Sequence, residues 1–531
     1  MQTTLLFLSV FLSASLFGQN VYIPDTKFKA YLVGNPEINT NGDSEIQESE
    51  ASIYEGKIFV SNQIIDLTGI EAFTALTYLN CQFNKLRILD VSHNTALTYL
   101  NCQANQLTQL IVGQNTSLTE LYCTSNKLTS LDLSGANALN HLDCLANKLT
   151  TLDISKNISL TKLLCDANQL TKLDVTRNTQ LTTFSCGANQ LTHLDLSGAT
   201  ALTKLICEYN QLTNLDLSKN KDLIHLDCSG NKLTNLDLNK NVDLTFLDCR
   251  HTQLTELIVA ENTALTELYC GNNQLTNIDV SKNTNLTSFY CEANQLTNLD
   301  LSKNKDLTHL DCHSNKLTNL DLNKNLDLTY LDCRNTQLTQ LIVAENTSLT
   351  ELYCGDNQLT NIDVSKNTAL IYLYCDANQL THLDLSGNIH LTSLGCNNNQ
   401  LKSLDLSGAT ALTKLFCTSN QLKTLDLSKS IALRFLYCAR NQLTTIDLSQ
   451  KTSLYRLKCQ FNQLTQLIVS DNTSLTELFC GGNKLTRLDV TGATALILLD
   501  CGPDPFGESN PFDCVFGLTE KCTLKGKDRC N

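Results

Sequence analysis

A cysteine recurs every 21 residues from Cys81 to Cys501, and the residues around it repeat with the same period. From Leu76 to Ala495 the chain divides into twenty units of 21 residues, without an insertion or a deletion. Each unit approximates L-T-x-L-x-C-x-x-N-x-L-T-x-L-D-L-S-x-N-x-x. A unit this short cannot bury its own apolar residues, so neighbouring units must cover each other. The period therefore predicts a solenoid with one coil per unit.

The pattern within a unit predicts one short strand and two turns. In the unit 265–285, Leu265, Leu268 and Cys270 occupy positions 1, 4 and 6 and alternate with polar residues. Such alternation is typical of a strand with one buried face, so successive units should form a parallel sheet with strands about 4.8 Å apart. Apolar residues at positions 11, 14 and 16 complete the core, and the S-x-N sequence supplies a return turn on the convex side.

Two polar positions also recur. Asn273, at position 9, begins the turn after the strand, where its amide can hydrogen-bond the backbone of its own and the next unit. Thr252 and Thr336 replace this Asn in two units, which should loosen the ladder there. Aspartates such as Asp195 stack at position 15, and we expect each to accept hydrogen bonds from its own S-x-N turn. Bound cations are the alternative account of this acidic row.

The repeat resembles the leucine-rich repeat, L-x-x-L-x-L-x-x-N-x-L, with Cys in the third apolar place. It is most similar to the bacterial leucine-rich repeat proteins with a cysteine ladder, of the internalin J type, and to secreted repeat proteins of Bacteroidetes type. The resemblance implies a β-rich solenoid with a parallel β-sheet on a concave face and an irregular, extended convex side. It also implies a non-catalytic protein of surface adhesion or host contact.

The cysteine faces the core, where a thiol acts as a small apolar group that suits a narrow coil. Cα atoms of neighbouring coils lie about 4.8 Å apart, but parallel side chains hold the Cβ atoms beyond the roughly 3.5 to 4.5 Å that a disulfide needs. We therefore expect reduced thiols, and we disfavour a zinc site because zinc uses CxxC-type clusters. Cys514, Cys522 and Cys530 follow the repeats, and we expect one disulfide among them, with the pairing open.

Four segments follow from these patterns. Residues 1–18 are interpreted as a signal peptide, because a short apolar run ends in small residues. Residues 19–54 form an N-terminal helical cap, residues 55–500 the solenoid of about 21 repeats, and residues 501–531 a C-terminal cap that contains cysteines. The first coil lacks cysteine and has Val60 in the ladder position. We expect a secreted, extracellular protein without a membrane span, with the periplasm as the alternative location.

Composition narrows the range of functions. The formal charge of −14 and the isoelectric point near 5.1 argue against nucleic acid or an anionic membrane as the main partner, since both require a basic face. The chain has no Trp, one Met and 6% aromatic residues, so it lacks the irregular aromatic core of a large enzyme. A repeated core without an enclosed cleft predicts that the protein is not an enzyme.

The N-terminal cap begins with a short helix and continues into a polar loop. Phe28, Tyr31 and Leu32 have helical spacing behind Pro24-Asp25. The following sequence, NTNGDSEIQESE, matches an EF-hand calcium loop with side-chain oxygens and one backbone carbonyl as ligands, at Asn39, Asn41, Asp43, Glu45 (carbonyl) and Glu50. A rival register begins at Glu37 and puts Gly42 in the sixth place. The alternative to weak Ca²⁺ binding is a polar turn that seats the helix on the first coil.

Side chains at positions 3, 5 and 7 should face outward on the concave face, and position 5 carries a repeated series. From Asp227 it reads Asp-Asp-Tyr-Tyr twice, followed by Gly395 and two more aromatics. Tyr brings apolar area and a hydroxyl at low entropic cost, so a row of exposed rings predicts a contact surface. The predicted ligand-binding residues are Tyr269, Tyr290, Tyr353, Tyr374, Phe416 and Tyr437, with Arg250, Arg334, Asp248 and Asp332 as a charged rim.

Two other accounts of this series stay open. Residues 202–285 and 286–369 match at 70 of 84 positions, so the repetition can record a duplication. A metal is the second account, since His and carboxylates lie on adjacent strands in two sets, His225 with Asp227 and Asp248, and His309 with Asp311 and Asp332.

We predict an exported binding protein that recognises a macromolecule on its concave face. The expected partner is an extracellular or cell-surface protein, or a glycan, and the chain is expected to act as a monomer. A rigid spacer roughly 100 Å long and a carbohydrate-binding module are the alternatives.

Overall fold

The computed structural model describes residues 18–61, 63–502, 514–515, 518, 523–525 and 528–529. The chain forms two compact units, Met1–Leu254 and Thr255–Asn531. Both are parallel β-solenoids with very little helix, which confirms the predicted fold class. The predicted signal peptide, apart from Gly18, lies outside the described residues, as do Cys522 and Cys530 of the predicted C-terminal disulfide.

The first unit begins with two short helices that close its first coil. Helix α1 spans Thr26–Val33 and buries Phe28 and Leu32, as the helical spacing predicted. Its cap is Asp25, whose Oδ1 accepts hydrogen bonds from two amides of the first turn, at 2.9 and 3.1 Å. Helix α2 spans Glu48–Ala51, and a short 3-10 helix spans Ile70–Ala72.

Three-residue strands form the parallel sheet of the first unit. Partners in neighbouring strands are 21 residues apart, as in Leu79 and Leu100. The strands at positions 13 to 15 of two early coils, Ile88–Asp90 and Gln109–Ile111, pair separately. The strands are β1 (Lys57–Phe59), β2 (Tyr78–Asn80), β3 (Ile88–Asp90), β4 (Tyr99–Asn101), β5 (Gln109–Ile111), β6 (Glu120–Tyr122), β7 (His141–Asp143), β8 (Lys162–Leu164), β9 (Thr183–Ser185), β10 (Lys204–Ile206), β11 (His225–Asp227) and β12 (Phe246–Asp248).

The second unit repeats this construction. A strand at Thr523–Lys525, from the segment after the last regular repeat, pairs in parallel with Leu498–Asp500 and so continues the sheet. A separate pair is formed by Cys514–Val515 and Asp528–Arg529. The strands are β13 (Glu267–Tyr269), β14 (Ser288–Tyr290), β15 (His309–Asp311), β16 (Tyr330–Asp332), β17 (Glu351–Tyr353), β18 (Tyr372–Tyr374), β19 (Ser393–Gly395), β20 (Lys414–Phe416), β21 (Phe435–Tyr437), β22 (Arg456–Lys458), β23 (Glu477–Phe479), β24 (Leu498–Asp500), β25 (Cys514–Val515), β26 (Thr523–Lys525) and β27 (Asp528–Arg529).

The core consists of the apolar positions of each coil. In the unit 265–285, Leu265, Leu268 and Cys270 are fully buried, and Ile278 at position 14 keeps only 9% exposure. Val60 occupies the ladder position of the first coil, as predicted. It is buried, and its amide donates to the next strand in the same way as the cysteine amides do. The 21 ladder cysteines are buried, and none of them forms a disulfide.

The asparagine at position 9 joins each coil to its neighbour. Asn294 donates from Nδ2 to the carbonyls of Cys270 and Cys291, at 3.0 and 3.1 Å, and its Oδ1 accepts from the amide of Leu275 at 2.9 Å. The coil that it reaches is therefore the preceding one, not the next one as the sequence suggested. Position 8, just before it, has a left-handed backbone in almost every coil, as at Ala293 with φ of 50°.

A second asparagine row lies at position 19, in the return turn. Asn304 is fully buried and donates from Nδ2 to the carbonyls of Asn283 and Val280, at 2.8 and 3.0 Å. These bonds satisfy backbone carbonyls of the preceding coil on the convex side. The S-x-N turn is therefore held by contacts between coils as well as by its own sequence.

The aspartates at position 15 accept hydrogen bonds from their own turns, as predicted. The amides of Ser197 and Ser218 donate to Oδ1 of Asp195 and Asp216, each at 2.9 Å. Bonds from these serines lower the pKa of both carboxyls. The local bonds explain how like charges can stack along this edge.

Restoring asparagine at a threonine position should stabilise the solenoid. Thr336 donates to the carbonyl of Cys333 at 2.9 Å, but no acceptor for the amide of Leu317 lies among the described residues. We expect Thr336→Asn to raise the free energy of unfolding by about 1 kcal/mol, because it supplies that acceptor. Urea unfolding midpoints measure the change. Asn315→Thr should cost a similar amount, and a neutral or destabilising Thr336→Asn would contradict the role of the ladder.

The ladder thiols should be unreactive in the folded chain. They have no solvent exposure, and burial raises the pKa of Cys81 and Cys417 to about 12. In a chain with Cys514, Cys522 and Cys530 changed to Ser, we expect almost no reaction with a thiol reagent until guanidinium is added. All 21 ladder thiols should then titrate. Extensive oxidation or rapid native reaction would show that the ladder is open or crosslinked.

The position-15 carboxyls should make stability depend on pH. Because their folded-state pKa is lowered, their contribution is fully present above the unfolded pKa, ~3.9, and is lost as the pH falls through the folded pKa. Asp195→Asn/Asp216→Asn should therefore be less stable than wild type near pH 6, and the difference should shrink towards pH 2. Urea unfolding at several pH values measures it.

The charge-matched control for this pair is Asp222→Asn/Asp243→Asn, at the exposed position 21 of two neighbouring coils. Equal pH dependence in the control variant, or a difference that does not change with pH, would show that the turn bonds do not stabilise the carboxylates.

Candidate functional site

The predicted tyrosines lie on the concave face, which consists of the outward side chains at positions 3, 5 and 7. The rings of Tyr353 and Tyr374 stack with centroids 5.5 Å apart and planes 8° apart. Tyr269 and Tyr290 stack at 4.9 Å and 19°. Stacking leaves these rings half-buried, instead of fully exposed as the sequence suggested.

The tyrosine hydroxyls are held by neighbouring polar groups. Tyr353 donates to the carboxylate of Glu351 at 2.8 Å, and Tyr374 shares a hydrogen bond of 2.7 Å with Ser393. Gly395 makes room for Tyr374, because a Cβ there would lie 2.5 Å from the ring. The gap in the aromatic series is therefore the space into which Tyr374 leans.

A further aromatic at position 3 belongs to this surface and was missed from the sequence. Tyr330 lies 5.7 Å from Tyr353, between centroids, and 6.0 Å from the ring of His309. The available signal was that positions 3 and 5 of a strand face the same side. We call Tyr330, Tyr353 and Tyr374 the tyrosine stripe.

The first unit carries another aromatic row that the series at position 5 did not reveal. Tyr78 and Tyr99 stack at 4.2 Å with planes 2° apart. Phe59 lies on one side of this pair, and Tyr122 and His141 continue the row on the other side at 5.3 and 4.7 Å. These rings are divided between positions 3 and 5, so no single column contains them.

In the predicted charged rim, each arginine pairs with the aspartate two residues before it, at the end of the same strand. Arg334 donates from Nε to both oxygens of Asp332 at 3.0 Å, and Asp332 keeps only 1% of its side-chain exposure. The guanidinium lies 5.3 Å from the centre of the Tyr353 ring. Arg250 and Asp248 form the equivalent pair in the first unit. The carboxylates are thus neutralised locally, and the arginines keep part of their surface in solvent.

The histidine beside Asp311 and Asp332 is His313, not His309 as the sequence predicted. Nδ1 of His313 lies 2.6 Å from Asp311 and 3.9 Å from Asp332. The hydrogen bond to Asp311 raises the pKa of His313. Arg334 already occupies both oxygens of Asp332, so a cation would have to displace it. His309 instead contacts Thr308 and the Tyr330 ring, which removes it from the predicted set.

The corresponding prediction in the first unit fails for a similar reason. The ring of His225 stacks on Phe246 at 4.1 Å, with planes 7° apart, so His225 is engaged by an aromatic side chain. The duplicate also lacks a histidine at position 7, where Ser229 bonds Asp227 at 2.7 Å. The two blocks are therefore not copies of one metal site.

Phe416 and Tyr437 lie beyond Gly395, in a more basic part of the concave face. Their ring centroids are 4.9 Å apart. The ammonium of Lys458 lies 4.5 Å from the centre of the Tyr437 ring and 5.4 Å from that of Phe479. Cations at this distance are attracted by the negative faces of aromatic rings.

Three carboxyls on the concave face of the first unit are partly desolvated. Burial raises the pKa of Glu208 to about 6, and nearby Asp227 adds to the shift. Burial also raises the pKa of Asp166 and Asp227, although both accept stabilising hydrogen bonds from serine hydroxyls. These carboxylates would therefore favour a cationic group more strongly than ordinary surface acids do.

The predicted calcium loop is closed by its own hydrogen bonds. Glu50 accepts from the amides of Thr40 and Gln47, at 2.8 and 3.0 Å, which forms part of the cap of α2. Asn41 and Gln47 both donate to Oδ2 of Asp43, at 3.1 Å. The oxygen-bearing side chains at loop positions 3, 5 and 9 thus converge, but Glu50 would have to exchange backbone bonds for a cation.

Side chains of the other predicted loop ligands have structural partners. The Glu45 side chain pairs with Lys29 at 2.6 Å, which leaves only its backbone carbonyl for the predicted role. Asn39 is buried, and its Oδ1 accepts from the amide of Gly42 at 3.0 Å. The predicted ligands therefore fit a cation only in part. Their hydrogen bonds and ion pair already stabilise the turn, and a cation would have to replace some of these contacts.

Cavities in the described part of the chain open on another side of the coils. One of them has a volume of about 680 Å³ and is lined by exposed Ile65 and Ile88, with Asp66, Glu71 and His93 around them. Another, of about 300 Å³, lies between Thr445 and Asp471. None of these residues is on the concave face. No helix among the described residues is long and apolar enough to span a membrane.

Comparison with solved structures supports the relationship suggested by the repeat. The chain is 34% identical to the functional domain of InlJ from Listeria monocytogenes, which includes a cysteine ladder; the match covers 81% of this chain and 82% of that one, with a TM-score of 0.58. YopM from Yersinia enterocolitica shares the fold at 21% identity, with 97% of each chain covered and a TM-score of 0.65.

More distant matches share the fold alone. The leucine-rich repeat ectodomain of the Arabidopsis thaliana receptor kinase GASSHO1/SCHENGEN3, solved in complex with CASPARIAN STRIP INTEGRITY FACTOR 2, is 21% identical over 83% of this chain and 67% of that one, with a TM-score of 0.59. No protein-family model matches the sequence. No curated protein matches it either.

The 21-residue coil, the buried cysteine at position 6 and the match to InlJ lead to one assignment. The chain belongs to the leucine-rich repeat proteins with a cysteine ladder, of the internalin J type.

Proposed function

We propose that this chain is an exported, non-catalytic binding protein that recognises a protein ligand on its concave face. The observation that carries the proposal is the tyrosine stripe with Arg334 against it. Tyr and Arg are the side chains most enriched where protein interfaces gain their energy. The stripe is fixed in register by the sheet, so little side-chain entropy would be lost on binding.

The stacked geometry favours a protein over a carbohydrate ligand. A sugar ring binds aromatic side chains through their faces, and the facing surfaces of Tyr353 and Tyr374 are covered by each other. Both rings keep part of their surface in solvent, and this mixed apolar and polar surface suits a protein. The rigid-spacer alternative assigns no role to these side chains.

One feature supports a location outside the cytoplasm. The apolar start of the chain has the length and composition of a signal peptide. We propose that the protein acts as a secreted monomer in adhesion or contact with a cell surface.

Removing the tyrosine stripe should abolish ligand binding. We expect the full chain to bind at least one member of an array of extracellular proteins and glycans, and Tyr330→Ser/Tyr353→Ser/Tyr374→Ser to lose that ligand. Truncation of central aromatic residues costs about 2 kcal/mol or more each, so affinity should fall at least a hundredfold. Surface plasmon resonance on the selected ligand measures the loss.

The matched control is Tyr209→Ser/Tyr455→Ser, which removes exposed tyrosines at positions 8 and 2. Equal loss in the control, or full binding by the stripe variant, would place the site elsewhere. If the ligand that is lost with the stripe is a glycan, the carbohydrate-binding alternative replaces the proposal of a protein ligand.

We also propose that the N-terminal loop binds Ca²⁺ weakly, through Asn39, Asn41, Asp43, Glu50 and the Glu45 carbonyl. Convergence of the polar side chains on Asp43 supports it. With a dissociation constant of about 1 mM, 5 mM Ca²⁺ should stabilise the cap by about 1 kcal/mol. Hydrogen exchange of the α1 and α2 amides would report this, with Mg²⁺ and Asp43→Asn as controls. Unchanged exchange in Ca²⁺ would favour the purely structural turn.

A further inference from the structure

Charge is segregated along the concave face of the second unit. In the seven coils from β13 to β19, positions 3, 5 and 7 carry six carboxylates and one arginine. In the four coils from β20 to β23, the same positions carry three cations and one carboxylate. The acids are Glu267, Glu292, Asp311, Asp332, Glu351 and Asp376, and the later charged residues are Lys414, Arg456, Lys458 and Glu477.

The cations of the later coils lie among aromatic rings. We call Lys414, Phe416, Tyr437, Arg456, Lys458 and Phe479 the basic–aromatic patch. Strands β20 to β23 hold these side chains at positions 3 and 5 in continuous register. Such a patch is unusual in a chain with a formal charge of −14, and it cannot result from a general excess of basic residues.

The patch retains unbalanced positive charge. Arg456 pairs with Glu477 and also donates to the hydroxyl of Tyr437 at 3.1 Å. Within the described part of the chain, neither Lys414 nor Lys458 has a carboxylate partner. The Lys458 ammonium is instead held between the rings of Tyr437 and Phe479. It is fixed in place by the rings, but its charge is not neutralised.

We propose that the basic–aromatic patch binds an acidic polypeptide segment, rich in Asp and Glu, of the protein ligand. This rests on the proposed function, because it takes the ligand to be a protein. The unpaired ammonium groups suit carboxylates on flexible side chains, which can form short, charge-assisted hydrogen bonds. The rings beside Lys458 give such a segment apolar contacts as well.

Ring geometry separates this partner from an anionic polysaccharide. The Lys458 ammonium lies over the rings of Tyr437 and Phe479, so a sugar cannot stack on the ring faces that it covers. A peptide carboxylate needs only one of the three hydrogens of the ammonium group. The acidic peptide therefore uses what the patch leaves accessible.

The test measures binding of a fluorescent decaglutamate peptide to the full chain by anisotropy, with decaserine and decalysine peptides as references. We expect decaglutamate to bind in low salt and to weaken as salt is raised, because the contacts are partly exposed. Lys414→Ser/Lys458→Ser should weaken it about tenfold or more. Lys402→Ser/Lys423→Ser, exposed lysines at position 12 of neighbouring coils, should leave it within about twofold of wild type.

A charge-reversal variant distinguishes loss of the binding site from unfolding, because an unfolded chain would not gain a new ligand. Lys414→Glu/Lys458→Glu should lose decaglutamate and gain decalysine. Absent binding of decaglutamate to wild type, or equal weakening in the position-12 control, would overturn the proposal. Tighter binding of a sulfated polysaccharide that needs the same two lysines would also overturn it, in favour of an anionic glycan.

The tyrosine-stripe variant distinguishes this proposal from the proposed function. Tyr330→Ser/Tyr353→Ser/Tyr374→Ser should bind decaglutamate like wild type, because none of the three belongs to the patch. Loss of the array ligand with retained peptide binding would support both proposals. If the stripe variant still binds the array ligand, and only the lysine variant loses decaglutamate, the tyrosine stripe is not the ligand site. The proposal for the basic–aromatic patch would then still stand.

Discussion

The buried amide of asparagine at position 9 is the interaction on which the rest of the structure depends. A coil of 21 residues has no room for a helix that would satisfy its own backbone, so the turn after the strand leaves buried carbonyls and amides. Asn294 and its equivalents satisfy two carbonyls and one amide each, across two coils. The residue before this asparagine is left-handed, a conformation that costs roughly 1 kcal/mol or more for a non-glycine residue, and the bonds between coils help to offset that cost.

Fixed register between coils has a direct consequence for the surface. Equivalent side chains on neighbouring strands are held about 4.8 Å apart, a spacing at which aromatic rings stack and like charges repel. A substitution at one repeat position therefore acts on its two neighbours in the column. In the second unit this converts differences among repeats into an acidic stretch, the tyrosine stripe and the basic–aromatic patch. The regular core and the variable face thus result from the same constraint.

The period alone was enough to predict the fold, because burial and hydrogen bonding at each core position recur every 21 residues. Side-chain direction on the face could not be predicted in the same way. The sequence placed His309 beside Asp311, yet its ring turns towards Tyr330 and His313 takes the carboxylate. Period fixes the register of Cα atoms, whereas rotamers follow from stacking and ion pairing with neighbours. Glu50 is a second example. The motif spacing predicted it as a calcium ligand, but its carboxylate accepts hydrogen bonds from the amides of Thr40 and Gln47.

The central claim is that a ligand is held by the concave face of the second unit. Hydroxyl-radical footprinting of the full chain, free and with its selected ligand, tests it most directly because tyrosine oxidation reports solvent access residue by residue. The account predicts protection of Tyr330, Tyr353 and Tyr374 in the complex, with Tyr209 and Tyr455 unchanged. Protection confined to residues of the convex side, such as Ile65 and Ile88, with the stripe oxidised as in the free chain, would contradict it.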